Sequence, residues 1–462
     1  MPHHDDAMIL VLNAGSSSIK FALFDAGAQP LPRTPLWEGA IDDIGGGTHD
    51  GQRGAKAGKG GEKNGAKGGD KNGGKGGDKD QSGPGASSPH HAALEQIRDR
   101  VRRHLGARPL AAVAHRVVHG GTKYIAPTRI DASVLADLRS YIPLAPLHQP
   151  FALDAIEIFL QHTPDVPQIA CFDTGFHHTM PEVETLLALP HAISESGVRR
   201  FGFHGLSYEY QSIALAERYG ELAQGRVVVA HLGSGASLCG MHGLRSVATT
   251  MGFSALDGLM MGTRCGSLDA GALLYLMEVR KLTPQQLGEM LYHDSGLLGV
   301  SGLCADSRVL LDKEATDARA ARALALYCRR FVHEFGALVA ALGGIDMLVF
   351  TAGVGEHSAE MRRRLCAPLA FFGIEIDPDA NAGIGNGAAA PDAARPSAAR
   401  PSAARPSAAR PSAARPNAAR PNAARPNAAR PISSPASRVR VVVEPTNEEW
   451  IAARHAQSLL AT

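Results

Sequence analysis

Three small-residue turns follow apolar stretches and have the composition of phosphate grips. The first, Asn13-Ala14-Gly15-Ser16-Ser17-Ser18-Ile19-Lys20, combines small side chains, hydroxyls and a single lysine. Such a turn lets backbone N–H groups and Ser18 reach phosphate oxygens while Lys20 supplies positive charge. It lacks the G-x-x-x-x-G-K-[ST] spacing of a Walker A loop. Gly233-Ser234-Gly235-Ala236-Ser237 and Gly353-Val354-Gly355-Glu356 are two more turns of the kind. Together they point to a nucleotide held in a cleft, its phosphates gripped from both sides.

A second group of segments sets charge beside histidine, glycine and aromatics. These are His115-Arg116-Val117-Val118-His119-Gly120-Gly121, Leu147-His148-Gln149-Pro150, Phe172-Asp173-Thr174-Gly175, Arg200-Phe201-Gly202-Phe203-His204-Gly205 and Gly262-Thr263-Arg264-Cys265-Gly266. Their charges abut glycine or apolar strands, a setting for ligand contact or for buried hydrogen bonding. His177-His178 is weaker as a metal pair, because adjacent side chains point different ways. Near the C-terminus, Glu444-Pro445-Thr446-Asn447-Glu448-Glu449 reads as the end of a strand and the start of a helix. Thr446 or Asn447 suits the cap. The two glutamates either complement the helix dipole or supply a Mg²⁺ ligand that works with Asp173.

The elements that must position these residues alternate between strand and helix. Met8 to Leu12 is a short apolar run and Ile19 to Phe24 alternates, so the pair predicts a hairpin around the first turn. Arg226 to Leu232 followed by Gly233-Ser234-Gly235 repeats the pattern and suggests a duplicated unit. Leu324, Tyr327, Cys328, Phe331, Val332, Phe335, Leu338, Val339 and Leu342 recur at intervals of three and four on one helical face, which Gly343-Gly344 would stop. The buried-type strand Met347-Leu348-Val349-Phe350 then delivers the third turn at its C-terminal end, where open α/β sheets bind ligands.

Composition bounds the function classes. A chain of 462 residues has room for two or three domains. Its 47 basic and 45 acidic residues leave a net charge of +2, too balanced to advertise a nucleic-acid partner. Six cysteines without C-x-x-C spacing argue against a zinc site or a disulfide framework and suit a reducing, cytoplasmic setting. Neither a leader segment nor an apolar run long enough to span a membrane is expected. Two stretches, about 45–89 and about 388–437, are Gly/Lys/Asp-rich and Arg-Pro-Ala-repetitive, and they read as disordered loop insertions.

In order and wording, Asn13 to Lys20, His115 to Gly121, Leu144 to His148, Phe172-Asp173-Thr174, Arg200 to Gly205, Met251-Gly252-Phe253, Gly258 to Arg264, Ser301-Gly302-Leu303, Phe350 to Glu356 and Pro445 to Glu449 resemble the acetate kinase family. The resemblance spans the chain outside the two insertions. It implies an α/β chain with the two-domain actin/Hsp70-like (ribonuclease H-like) kinase fold and a nucleotide cleft between domains. The domains would be 8–172 and 173–446, with a C-terminal helix, about 447–462, packing back on the first. The implied activity is Mg²⁺-dependent (Mn²⁺ substituting), reversible transfer of the ATP γ-phosphoryl group to acetate by a cytoplasmic homodimer that engages no membrane. A propionate- or butyrate-preferring kinase is the same-fold alternative, and an actin- or Hsp70-like ATPase a more distant one.

Residue by residue, the resemblance implies that Arg116 and Arg264 hold the carboxylate and the transferred group, with Asp173 also catalytic. His204 and Arg264 would stabilise the transition state, with His148 nearby. Asn13 and Glu448, with Asp173, would stand at the metal. Val118, Leu147, Phe203 and Ala255 would line the acetate pocket. ATP would be met by Asn13, Ser18, Lys20, His204, His231, Leu232, Gly233, Ser234, Gly235, Asp306, Ser307, Arg308, Gly353, Val354, Gly355, Glu356 and His357. The family usually has Asn at Ser234, Pro at Ala255 and Asn at His357.

Overall fold

A computed structural model of the chain describes residues 6–15, 18–42, 44, 88–384 and 429–461. The bulk of the two expected insertions lies outside the described residues. Two six-stranded sheets form the scaffold. In the first, β1 (Met8–Ala14), β2 (Ile19–Asp25), β3 (Trp37–Ile41), β4 (Leu110–Val117), β5 (Thr128–Arg129) and β6 (Gln168–Phe172) lie in the order β3-β2-β1-β4-β6-β5. In the second, β7 (Arg226–Leu232), β8 (Ala236–His242), β9 (Arg245–Thr249), β10 (Met347–Thr351), β11 (Arg430–Pro431) and β12 (Arg440–Val443) lie in the order β11-β12-β10-β7-β8-β9.

Read from opposite edges, the two orders are the same. Each sheet has an antiparallel three-strand meander, then two strands parallel to the meander's first strand, then a two-residue antiparallel edge. The duplication suggested by the two hairpins therefore extends to the whole sheet. The first hairpin pairs Asn13 with Lys20, which brings both ends of its turn to one place. The second pairs Leu232 with Ala236 across Gly233-Ser234-Gly235.

Helices α1 (Pro89–Leu105), α2 (Gln149–His162), α3 (Gly205–Tyr219), α4 (Ala270–Glu278), α5 (Ser307–Lys313), α6 (Ala318–Leu342), α7 (Ala352–His357) and α8 (Glu448–Leu460) matter for the site and its surroundings. The periodic helix is α6. It starts before the first expected apolar residue because Asp317 caps it, accepting from Arg319 N. Leu324, Tyr327, Phe331, Phe335, Leu338 and Val339 are buried, while Cys328, Val332 and Leu342 pack at the margin; Gly343, at φ 69°, ends the helix. Phe331 and Phe335 join Val228, Ala230, Leu348, Phe350, Val441 and Val443 in the core on one face of the second sheet.

Helix α3 is wedged between the sheets. Leu206, Tyr210 and Ala214 pack with Ile9, Val11 and Ala114 of the first, and Tyr208 and Leu215 with Val227, Val229 and Val349 of the second. Helix α8 follows the second sheet in sequence but buries Trp450, Ile451, Ala453 and Ala456 against the first. Asn447 is its cap, accepting from Trp450 N at 2.9 Å, while the Asn447 amide donates to Arg33 O at 2.8 Å. Apolar burial on this scale, at roughly 25 cal/mol per Å², dominates what holds such elements together.

Both insertion boundaries need correction. Ser88 is already ordered as the cap of α1, accepting from His91 N at 3.1 Å, with Pro89 in the first turn. At the other end, Arg430–Pro431 pairs with β12, and Ile432 is fully buried in the core. Ile432 is the first large aliphatic residue after the repeats, and Pro431 is tolerated because β11 is an edge strand. Among the described residues, no helix is long and apolar enough to cross a membrane.

Candidate active site

A cleft of about 600 Å³ opens where the C-terminal ends of β1, β4, β6, β7 and β10 converge. Strand ends are where peptide groups run out of partners and side chains can meet a ligand. Arg116 enters from β4, and each of its three guanidinium nitrogens has a partner. Nε donates to both Asp173 oxygens at 3.0 Å, Nη2 donates to Asp173 Oδ2, and Nη1 donates to Asn13 Oδ1 at 3.1 Å. Glu448 Oε2 stands 3.8 Å from Nε. Burial opposes the Arg116 charge, but Asp173 and then Glu448 outweigh it and hold the pKa above its ordinary value.

Asp173 is buried, and its carbonyl accepts from Gly205 N at 2.7 Å. A Cβ on Gly205 would lie 2.2 Å from that carbonyl, so only glycine lets α3 begin there. The Glu448 carboxyl has its pKa raised by burial, with Arg116 opposing and Asp173 and Glu449 adding to the rise. Among the described residues no group of three or more His, Cys, Asp or Glu is placed to hold a metal ion. One or two carboxylates beside a phosphate site suit Mg²⁺, which keeps waters and shares substrate oxygens, better than an all-protein cage.

Arg264 stands differently. Nη1 donates to Ala255 O at 3.1 Å and Nη2 to His148 Nε2 at 3.1 Å, and among the described residues no carboxylate pairs with it. Burial, with Arg116 adding to it, lowers its pKa. His148 precedes α2, and burial followed by Arg264 and Arg116 pushes it down to about 3, so its Nε2 is a neutral acceptor. Beside these cations Val118, Phe203 and Ala255 give the cleft an apolar side. A Cβ on Gly235 would lie 3.0 Å from His204 Nε2 and 3.5 Å from Arg264 Nη1, so the absence of a side chain keeps the space between them open.

Two imidazoles are stacked in the cleft wall, His204 over His231 with centroids 4.1 Å apart. His204 sits at φ 60°, a left-handed conformation that a non-glycine residue adopts only where its surroundings demand it. Its Nδ1 is 2.8 Å from Ser237 Oγ, which is 2.5 Å from Tyr208 Oη. Burial, then His231, Arg116 and Arg264, hold His204 well below its ordinary pKa, and burial followed by Arg116 pushes His231 down to about 3. In His231, Nδ1 is 2.9 Å from Ser207 Oγ, which accepts from Thr446 Oγ1 at 2.9 Å. The tautomers in which Tyr208 donates to Ser237 and Thr446 to Ser207 let each serine donate to its imidazole. Each Nε2 then carries a proton that no other ring contact consumes.

Comparison with known proteins follows from this geometry. The Acetokinase family profile matches residues 8–394. The chain belongs to that family. It is 46% identical over 388 residues to the acetate kinase of Rhodopseudomonas palustris, covering 83% of this chain and 92% of the relative. It is 39% identical over 462 residues to that of Methylocella silvestris, covering 98% of each. Among solved structures, Porphyromonas gingivalis acetate kinase superposes with a TM-score of 0.73 at 30% identity, covering 98% of this chain and 100% of that one. A propionate kinase from Francisella tularensis superposes at 0.71 with 26% identity, covering 97% and 98%. The architecture is the α/β, two-lobed actin/Hsp70-like kinase fold.

Within this acetokinase-family site, the structure brings together most of the expected residues. Asn13, Ser18, Lys20, Arg116, Val118, His148, Asp173, Phe203, His204, His231, Gly233, Ser234, Gly235, Ala255, Arg264, Gly353, Glu356 and Glu448 all line the cleft. Leu147 does not; the side chain that enters is its neighbour His148. Leu232 is fully buried within β7. Val354, Gly355 and His357 belong to α7 but are not part of the lining. Asp306, Ser307 and Arg308 stand apart at the start of α5. There Asp306 caps the helix through Arg308 N at 2.8 Å and pairs with the Arg308 guanidinium at 2.7 Å. His177 is occupied structurally, between Ser246 Oγ at 2.8 Å and Phe203 O at 2.9 Å.

Sequence reasoning named Ser237, Thr446 and Glu356 in other roles and missed them as supports. Ser207, Ser237, Tyr208 and Thr446 fix the imidazoles, and Glu356 accepts from Ala352 N at 2.8 Å and Thr446 N at 3.2 Å. Ser207 lies three residues after His204 on one helix, but its partner is His231. No spacing rule signals that pairing.

Proposed function

We propose that the protein reversibly transfers the γ-phosphoryl group of ATP to acetate, giving acetyl phosphate and ADP. One observation carries the reading. Arg264 is a cation without a carboxylate partner among the described residues, in the same cleft as Arg116 and beside Val118, Phe203 and Ala255. Such a site asks for a small anion with an apolar tail. A water-attacking ATPase has no use for that combination.

At pH 7 a simple carboxylic acid is ionised, so the attacking oxygen needs no general base. The obstacle is repulsion between that oxygen and the phosphates. Arg116, held rigid by Asp173 and Asn13, and Arg264, free to turn toward an anion, offset it. A neutral His204 donates from Nε2 toward an equatorial oxygen of the transferred group. Preorganised donors of this kind act on charge as it spreads in the transition state. Lys20, Gly233, Ser234, Gly235 and Gly353 meet the remaining phosphate oxygens. Glu448 and Asp173, with Asn13 beside them, would hold Mg²⁺, which would supply charge neutralisation for the phosphates. The cation would also relieve the Glu448 carboxyl of its unfavourable burial. We read the lobes as 8–172 and 173–446, with adenosine extending past the lining toward Asp306, Ser307 and Arg308.

Ala255, in place of the family's usual proline, softens the acid pocket, so propionate should also be a substrate. Assembly as a homodimer is favoured by α4, where Leu274 and Tyr275 are 58% and 54% exposed with Leu268 and Val279 beside them. A hydroxamate assay with MgATP and acetate, propionate or butyrate tests the activity. Acetate-independent ATP hydrolysis as the sole turnover would refute it. A kcat/KM for propionate below about a thousandth of that for acetate, a difference of some 4 kcal/mol, would refute the softened pocket.

A further inference from the structure

Ala352, the first residue of α7, sits at φ 64°. Residues with a side chain avoid this left-handed region, and one that stays there is held by its surroundings. The hold begins within its own helix. Glu356 Oε1 accepts from Ala352 N at 2.8 Å, from Thr446 N at 3.2 Å and from Thr351 Oγ1 at 3.4 Å. Thr351 Oγ1 is itself oriented, because it accepts from Gln211 Nε2 at 3.1 Å. Glu356 is fixed in turn from behind. The fully buried Arg362 donates from Nη1 to Gly355 O at 2.9 Å and to Glu356 O at 2.8 Å, and from Nε to Asn381 Oδ1 at 2.8 Å. With the peptide before Ala352 tied by Glu356 and the far end of α7 tied by Arg362, φ is determined between two fixed ends.

The residue so held sets the third turn. Gly353 follows it directly; both line the cleft, and a Cβ on Gly353 would meet no atom within 4 Å. A Cβ on Gly233 would lie 3.7 Å from the Ala352 side chain, so the second and third turns stand side by side. Relaxing Ala352 to the ordinary right-handed φ would rotate the following peptide by roughly 130° about the N–Cα bond. Gly353 would then leave its place beside Gly233.

We propose that Glu356 is a positioning residue for the nucleotide: by accepting the Ala352 N–H it keeps that residue left-handed, and so keeps Gly353 turned into the phosphate cleft. The role asks for an acceptor at that point and not for a charge. The inference rests on reading the cleft as the nucleotide's phosphate site.

The test uses the full-length protein, with MgADP affinity read by calorimetry and folding by thermal melts. Glu356→Ala should weaken MgADP about tenfold, the shift expected when one alanine is released from the left-handed region. Glu356→Gln, which keeps the acceptor without the charge, should stay within about threefold of wild type. Ala352→Gly supplies the deciding background, because glycine adopts positive φ about as readily as negative. In that background Glu356→Ala should weaken MgADP less than about threefold. An equal tenfold loss in both backgrounds would overturn the proposal. So would a Glu356→Gln variant as weak as Glu356→Ala, since the carboxylate's charge would then be what matters. Should Glu356→Ala not fold, Glu356→Asp, one methylene too short to reach Ala352 N, replaces it in both backgrounds under the same criteria. Wild-type protein that binds no MgADP sinks the nucleotide reading, and this inference with it. Wild-type binding that no variant weakens by more than about twofold sinks the inference alone.

Discussion

Replacing Arg264 by alanine separates catalysis from stability more cleanly than any other change in the cleft. In the folded protein the partners of Arg264 are neutral, Ala255 O and His148 Nε2 with Met261 Sδ more distant at 3.9 Å, and burial lowers its pKa. Its cation is therefore tolerated by the fold rather than needed by it. Losing two hydrogen bonds to neutral acceptors costs about 1 kcal/mol each, and removing a partly desolvated charge returns a similar amount. The melting temperature should stay within about 4 °C of wild type. Turnover should fare far worse. A guanidinium that meets the charge spreading over the transferred group is worth about 10³-fold, or roughly 4 kcal/mol. The expected result is kcat lowered about 10³-fold in the hydroxamate assay, with MgADP affinity by calorimetry within about threefold. Arg264→Lys should recover part of the loss, because it restores charge but not the planar fork. Near-wild-type turnover in Arg264→Ala would refute the assignment. Loss of activity matched by loss of folding would refute the claim that the charge is dispensable to the fold.

Ser237→Ala should lower kcat about 10- to 100-fold with KM values little changed, because His204 loses the partner that fixes its tautomer; equal rates in the two proteins would show that the relay is idle. Deleting 46–87 and 386–428 should leave kcat within about twofold, since closing a long connection costs little, whereas a deletion carried through Ile432 should lower the melting temperature sharply. Arg218→Ala should cost about 2 kcal/mol at pH 8 and less at pH 5.5. Its partner Glu444 is buried, with Arg218 Nε 3.0 Å from Oε2, and burial raises the Glu444 pKa to about 7 against Arg218's opposition. An acid whose folded pKa is raised loses its share of stability as pH climbs from the unfolded value through the folded one, and removing the counter-ion deepens the loss above it. Equal losses at both pH values in thermal melts would refute this account.

The elements were legible where a single period ran long enough. The nine-position apolar face of α6 and the two hairpins could be read from spacing, and the family's wording carried the cleft residues. What could not be read was convergence between elements far apart in sequence. Arg116 and Asp173 were each visible in their own motif, but their bidentate pairing follows from Arg116 and Cys171 being register partners in adjacent parallel strands, with Asp173 just beyond. Leu147 and His148 could not be separated by pattern, since one residue's difference in a turn decides which side chain enters. Asp306 and Arg308 are two apart, close enough to satisfy one another at a helix cap. The end of the second insertion was misjudged because two short strand residues beside Ile432 carry too little signal against a repetitive background.

The stacked histidines explain how the cleft adds donors without adding charge. A further full cation beside Arg116 and Arg264 would raise the cost of the ligand-free fold, since like charges in a low-dielectric wall repel strongly. A buried imidazole avoids that cost by staying neutral while still offering an N–H, provided something else fixes its tautomer. The two fixing chains differ in what they span. His204 is held through Ser237 and Tyr208, from β8 and α3, both packed in one core with the second sheet. His231 is held through Ser207 and Thr446, and Thr446 lies in the short link between β12 and α8, whose apolar face is buried against the first sheet. The chain that fixes His204 thus ends on α3, and the one that fixes His231 ends on the link to α8.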